Sequence, residues 1–96
     1  MSKAAHASPD SVRFGLILRR ERQARGWTLR KLAQRAGMNA QYLGVVEAGL
    51  NTPSLYTILE LAEVLGADAA EMIRECAIAR RTPPVKPAES TPVATA

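Results

Sequence analysis

The sequence predicts an all-α domain, a compact bundle of five short helices. Three observations carry that expectation. Apolar residues recur at helical spacing in five separate windows, and no window alternates with the period of a strand. The windows open at Ser, Thr, Asn or Asp, residues that cap helix starts, and four of them stop at glycine. The connections are two to five residues long, which packs successive helices directly against one another.

Each element has its own local signal. The first helix runs from about Ser11 to Ala24, with Phe14, Leu18 and Glu21 along one side, and ends at Arg25-Gly26. Trp27 follows and is read as a plug for the core. The second begins at the N-cap Thr28, carries Leu29, Leu32, Ala33 and Ala36 as its apolar stripe, and stops at Gly37. The third begins at the N-cap Asn39 and runs to about Ala48, with Leu43 and Val46 inward and Gly49 as the stop. Asn51-Thr52-Pro53 forms a turn. Ser54 caps the fourth helix, whose stripe is Leu55, Ile58, Leu59, Ala62 and Leu65, before Gly66. Asp68 caps the fifth, with Met72 and Ile73 inward and a continuation through Cys76, Ala77 and Ile78 toward Arg80.

Composition bounds the function. At 96 residues and 47% apolar content the chain holds one folded domain. Residues 1–10 read as a flexible arm, 11–81 as the domain, and 82–96 as a disordered Pro-rich tail holding four of the six prolines. Charge is segregated. Residues 1–35 carry nine Lys or Arg against two acidic residues, whereas residues 36–75 carry only Arg74 against six acidic residues. One face therefore suits a polyanion. The lone cysteine, Cys76, allows no intramolecular disulfide, and the run FGLIL is too short for a leader or a membrane span. A cytoplasmic protein is expected. His6 lies in the arm, Cys76 has no nearby base in the sequence, and no metal-ligand spacing or phosphate loop exists. Those absences argue against an enzyme and against a cofactor.

The stretch LAQRAGMNAQYLGVVEAG, residues 32–49, carries the functional signal. Two short helices meeting at a glycine form a helix-turn-helix. Ala33 is small where the helices cross, Gly37 suits a sharp turn, and Met38 fills the space beneath it. The third helix carries one charged residue, Glu47, in a chain with a pI near 9.8. An ordinary αα-hairpin of a bundle is the plainer alternative.

With its flanks LRRERQARGWTLRKLAQRAG, MNAQYLGVVEAG and NTPSLYTILELAEVLGADAAEMI, the chain from Phe14 to Ile73 resembles the Cro/phage-repressor type of helix-turn-helix protein, the XRE family. The resemblance implies a five-helix repressor-like DNA-binding domain, with the helix-turn-helix at helices two and three and the third helix in the major groove. It also implies a transcriptional regulator, and an ion pair between Arg22 and Glu47 tying helix one to the end of helix three.

A helix in the major groove reads base edges with its outward residues. Base contacts are expected from Ala40, Gln41, Gly44 and Val45. Gln41 has both a donor and an acceptor for adenine. Phosphate contacts are expected from Arg19, which stands at a contact position of the resembled family, and from Thr28, Arg30, Lys31, Asn39, Tyr42, Asn51 and Thr52. Arg20, Arg25 and Arg35 read as solvated charge. Leu29 stands where the family often has glutamine, and Val45 and Ala48 replace positions often polar or basic, so the surface is unusually apolar.

A homodimer on a palindromic site is expected, with Met72, Ile73, Cys76, Ala77 and Ile78 at its interface. The rival reading is an antitoxin or adaptor that uses the fold to hold another protein, with the Pro-rich tail as a segment for a protein partner.

Overall fold

The computed structural model describes residues 8–81. Five helices and no strand are present among them, in the order α1 (Pro9–Ala24), α2 (Leu29–Ala36), α3 (Ala40–Glu47), α4 (Leu55–Leu65) and α5 (Ala69–Arg81). The Pro-rich segment and the arm through residue 7 lie outside the described residues.

The caps follow from the sequence with one shift. Helix α1 begins at Pro9 rather than Ser11, so Pro9 and Asp10 are helical and not part of an arm. Ser8 is the N-cap: its Oγ accepts from the Ser11 amide at 3.1 Å, and its own amide donates to Ser11 Oγ at 2.8 Å. This reciprocal box, with proline in the first turn, satisfies amides that would otherwise be orphaned. Thr28, Asn39 and Ser54 cap α2, α3 and α4 through side-chain oxygens. Asp68 Oδ1 accepts from the Ala70 amide at 2.9 Å at the head of α5.

Phe14, Ile17 and Leu18 of α1, Leu32 and Ala33 of α2, Leu43 and Val46 of α3, Leu61, Ala62 and Leu65 of α4 and Met72 of α5 form one core. Two expected stripes are corrected by it. In α4 the buried line is Leu61, Ala62 and Leu65, with Ile58 half-buried beside it, while Leu55 and Leu59 are 67% and 49% exposed. The helical period is the expected one, but the helix is rotated so that Leu61 enters the core and Leu55 and Leu59 face outward. In α5, Met72 is inward as expected, at 2% exposure, but Ile73, expected inward beside it, is 41% exposed, because it follows Met72 by about 100° around the helix and so leaves the core-facing side. The burial of Met72 corrects its expected place in a dimer interface: Met72 closes the core of its own domain and is unavailable to a second chain.

One close crossing positions the rest. Gly15 in α1 lies against the end of α3, where an added Cβ would stand 2.5 Å from the carbonyl oxygens of both Val46 and Glu47. The helices approach there only because position 15 has no side chain. The single proton of the buried Ser11 Oγ has two carbonyl acceptors in reach, Gly49 at 3.1 Å and Ser8 at 2.9 Å, and its contact with Gly49 ties the start of α1 to the turn after α3.

Candidate nucleic-acid interface

Helix α3 is held from two sides. Its inner residues Leu43, Val46 and Glu47 are buried, packed between α1 and α2. Gly37 adopts a left-handed conformation (φ 67°), which helps turn the chain from α2 into α3 within the three residues Gly37, Met38 and Asn39. Asn39 Oδ1 then accepts from the amides of Gln41 (2.7 Å) and Tyr42 (3.1 Å). The Asn39 oxygen is consumed by the cap, so only its amide nitrogen is free for an external acceptor.

Glu47 is the anchor. Its carboxylate accepts from Arg22 Nε at 2.6 Å and Nη2 at 3.0 Å, and from Arg19 Nε at 3.3 Å. Arg22 Nη1 also donates to the Trp27 carbonyl at 2.7 Å. A carboxylate this buried is tolerated because two guanidiniums neutralise it and fill its lone pairs. Pairing with Glu47 and the Trp27 carbonyl uses the whole inner fork of Arg22. Arg19 is tied to Glu47 by Nε alone and is half exposed, which leaves both its terminal nitrogens pointing outside the network.

The outward stripe of α3 is Gln41, Gly44, Val45 and Ala48. Gln41 and Ala48 are exposed, and Gly44 and Val45 are half-buried. Their spacing places all four on one side of the helix. Ala40 and Tyr42 sit on its flanks, partly packed on the core. The open side of Gly44 faces Leu29 of α2, whose Cδ1 is 3.6 Å from where a Cβ at position 44 would stand.

Around this stripe lie the polar residues expected to meet phosphates. Thr28 and Arg30 are exposed at the head of α2, and Asn51 and Thr52 lie in the turn before α4. Thr28 Oγ1 accepts from the Lys31 amide at 3.0 Å and keeps its own hydroxyl proton. Lys31 and Arg35 are placed otherwise. Both sit over Trp27, with Arg35 Cζ 4.8 Å and Lys31 Nζ 5.7 Å from the ring centroid. One turn of helix separates them, so a single indole serves both cations. Trp27 is thus a half-buried platform as well as a core contact.

Two of the three arginines read as solvated charge are structural instead. Arg20 reaches Glu75 of α5 at 2.9 Å and Glu21 at 2.7 Å. Arg25 donates to the Leu65 carbonyl at 2.5 Å, one of the acceptors left open at the end of α4, and to the Glu21 carbonyl at 2.6 Å. Hydrogen bonds from Arg20, and further ones from Arg25, hold the Glu21 carboxyl below its ordinary range despite partial burial. Arg80 pairs with Asp10 and lowers that carboxyl too. Gly15 is the residue that sequence reading passed over. Its signal was an isolated glycine inside a helical pattern, which costs about 1 kcal/mol and so needs a packing reason.

On α5, Cys76 is half-buried against the core, and burial pushes its thiol up. Ile73 and Ile78 are 41% and 50% exposed. No group of three potential metal ligands occurs among the described residues, and no described helix is long and apolar enough to cross a membrane.

A short third helix that turns one face into solvent, with its other face gripped by α1 and α2, defines a repressor-like helix-turn-helix domain. A family model described as a helix-turn-helix domain matches residues 13–74, and the chain belongs to that family. Among its relatives is the uncharacterized HTH-type transcriptional regulator y4dJ of Sinorhizobium fredii, 35% identical over 56% of this chain and 70% of the relative. The restriction-modification controller protein C.AhdI from Aeromonas hydrophila is 38% identical, with a TM-score of 0.65 over 68% of this chain and 98% of its own. The master regulator for biofilm formation SinR, solved in complex with DNA, is 26% identical, with a TM-score of 0.60 over 62% of this chain and 97% of its own.

Proposed function

We propose that this protein is a sequence-specific regulator that binds a palindromic DNA operator as a homodimer, with α3 in the major groove. One observation carries the reading. The side chain of Gln41 stands exposed on a helix whose opposite face, Leu43 and Val46, is fully buried. A rigid rod with one free face fits a groove, and its N-terminal residues reach base edges. Arg19, Thr28, Arg30, Asn39, Tyr42, Asn51 and Thr52 supply phosphate contacts around it, and Lys31 is left out of this set because it sits over Trp27. The DNA-bound SinR and the controller C.AhdI, which share this fold, support the same partner.

Dimerisation is supported by the exposed Ile73 and Ile78 on α5, with Ala77 beside them. A cytoplasmic site of action follows from this role. The adaptor reading draws on a different surface, the exposed Leu55, Tyr56 and Leu59 of α4.

Selection of bound duplexes from a random pool tests the proposal. The expected result is an enriched inverted repeat, bound with an affinity that falls steeply with salt. In the Gln41→Ala variant, discrimination between the enriched and a scrambled duplex falls by about 1–3 kcal/mol. In Arg19→Ala, binding weakens on every sequence and the salt slope shrinks by about one phosphate contact. Unchanged discrimination in Gln41→Ala overturns the assignment of α3. No binding to any duplex, with a stable co-purifying protein, favours the adaptor.

A further inference from the structure

The outward stripe of α3 has the spacing of a core-facing stripe, yet it faces solvent. Positions 41, 44, 45 and 48 follow i, i+3, i+4, i+7, and only Gln41 can form a hydrogen bond through its side chain. Gly44 contributes no side chain, and Leu29 comes in beside it: the Leu29 Cδ1 methyl lies 3.6 Å from the missing Cβ position. Leu29 is half-buried rather than sealed in the core. Because residue 44 does not cover it, Leu29 supplies the side chain that α3 lacks at that point. Leu29, Val45 and Ala48 thereby make an apolar surface beside the single amide of Gln41.

Resting on the DNA-binding reading, we infer that this surface recognises the C5-methyl group of pyrimidines, thymine above all, and that Leu29 is a specificity residue although it lies on α2. The chemistry of the major groove selects this target. The thymine methyl is the one apolar group a base pair presents there, whereas a G·C pair presents only acceptors and a donor. Apolar side chains pressed on G·C strip water from those polar groups and return no hydrogen bond. The same side chains on A·T bury the methyl and leave the adenine edge to Gln41. Attraction to one pair and a desolvation penalty on the other act in the same direction. The favoured half-site is therefore rich in A·T pairs beneath α3.

The test uses duplexes selected from a random pool and resynthesised with deoxyuridine in place of thymidine, which removes the methyl alone. Affinity falls about fourfold for each methyl that contacts the protein, as expected for burying one such group. In Leu29→Ala the thymine-to-uracil ratio shrinks toward one at one position of each half-site, and in Val45→Ala at another. Thermal unfolding of both variants shows that they are folded at the assay temperature. A second arm separates the methyl from the base pair. At a uracil-sensitive position, 5-methylcytosine opposite guanine binds more tightly than unmethylated cytosine, although both bind less tightly than thymine. Equal affinity for thymine and uracil duplexes overturns the inference, as does a full thymine-to-uracil ratio in folded Leu29→Ala,Val45→Ala protein. Failure to bind any selected duplex is a separate outcome and overturns the DNA-binding reading itself.

Discussion

The two sides of α3 obey different rules. Its inner side is over-determined: Leu43 and Val46 are buried by neighbours on α1 and α2, Glu47 is held by two arginines, and Gly15 allows backbone approach that no other residue permits. Its outer side is under-determined. Gln41 and Ala48 have no contact within the domain that demands their identity, and Gly44 has free space on its open side except for one leucine methyl. The difference separates two tasks on eight residues. The inner side fixes where the helix stands. The outer side is free to change with the ligand, because substitutions there leave the packing alone.

Glu47→Ala is the strongest way to break this contrast. It leaves Arg22, mostly buried, without its carboxylate, and the expected loss is about 3–5 kcal/mol of folding stability. Chemical denaturation checks it, alongside Gln41→Ala, whose midpoint stays that of the unmodified protein. If the two variants unfold together, the inner and outer sides are not distinct.

A pair of glycine replacements sharpens the comparison further. Gly15→Ala forces a methyl against two backbone carbonyls of α3 and costs about 1–3 kcal/mol. Gly44→Ala meets only the Leu29 methyl at contact distance and stabilises the helix by up to about 1 kcal/mol. Thermal midpoints of opposite sign are the expected reading; two equal losses contradict it.

The smallest effect concerns pH. Glu21 and Asp10 have lowered carboxyl affinities for protons, through Arg20 with Arg25 and through Arg80 respectively. A lowered pKa in the folded state means that the pairing stabilises above the ordinary carboxylate range and is lost as pH falls through it. Denaturation midpoints therefore decline on acidification below that range. The outer stripe carries no titratable side chain, so the base preference proposed for α3 is expected to stay unchanged between pH 6 and about 8. A preference that moves over that interval places an ionisable group in the base contacts.

Much of the fold was legible because it is written locally. Thr28, Asn39 and Ser54 cap the helices the sequence assigned to them, since a cap needs only its own side chain and the next three amides. Gly37 marked the turn between α2 and α3 for the same reason. The outward residues of α3 followed once Leu43 and Val46 were placed inward, because the helical period dictates the opposite face. Leu59 and Leu61 were harder. They lie two residues apart, both are leucine, and the helix α4 offers an apolar stripe in either rotation. The arginines were harder still. Arg20 meets Glu75 and Arg25 meets Leu65, partners 55 and 40 positions away, and no local pattern announces such a meeting.

The sequence by itself determined five helices, their order, the N-caps of α2 to α5 and the tight turn at Gly37, because each depends on chemistry within about one helical turn. The tertiary structure alone decided which leucine of α4 is buried, that Ile73 of α5 faces outward, that Gly15 is a crossing point, and that Leu29 lies beside the open side of Gly44. Those outcomes depend on the relative placement of helices, which is settled by burial and pairing summed over the whole chain and not by any segment of it.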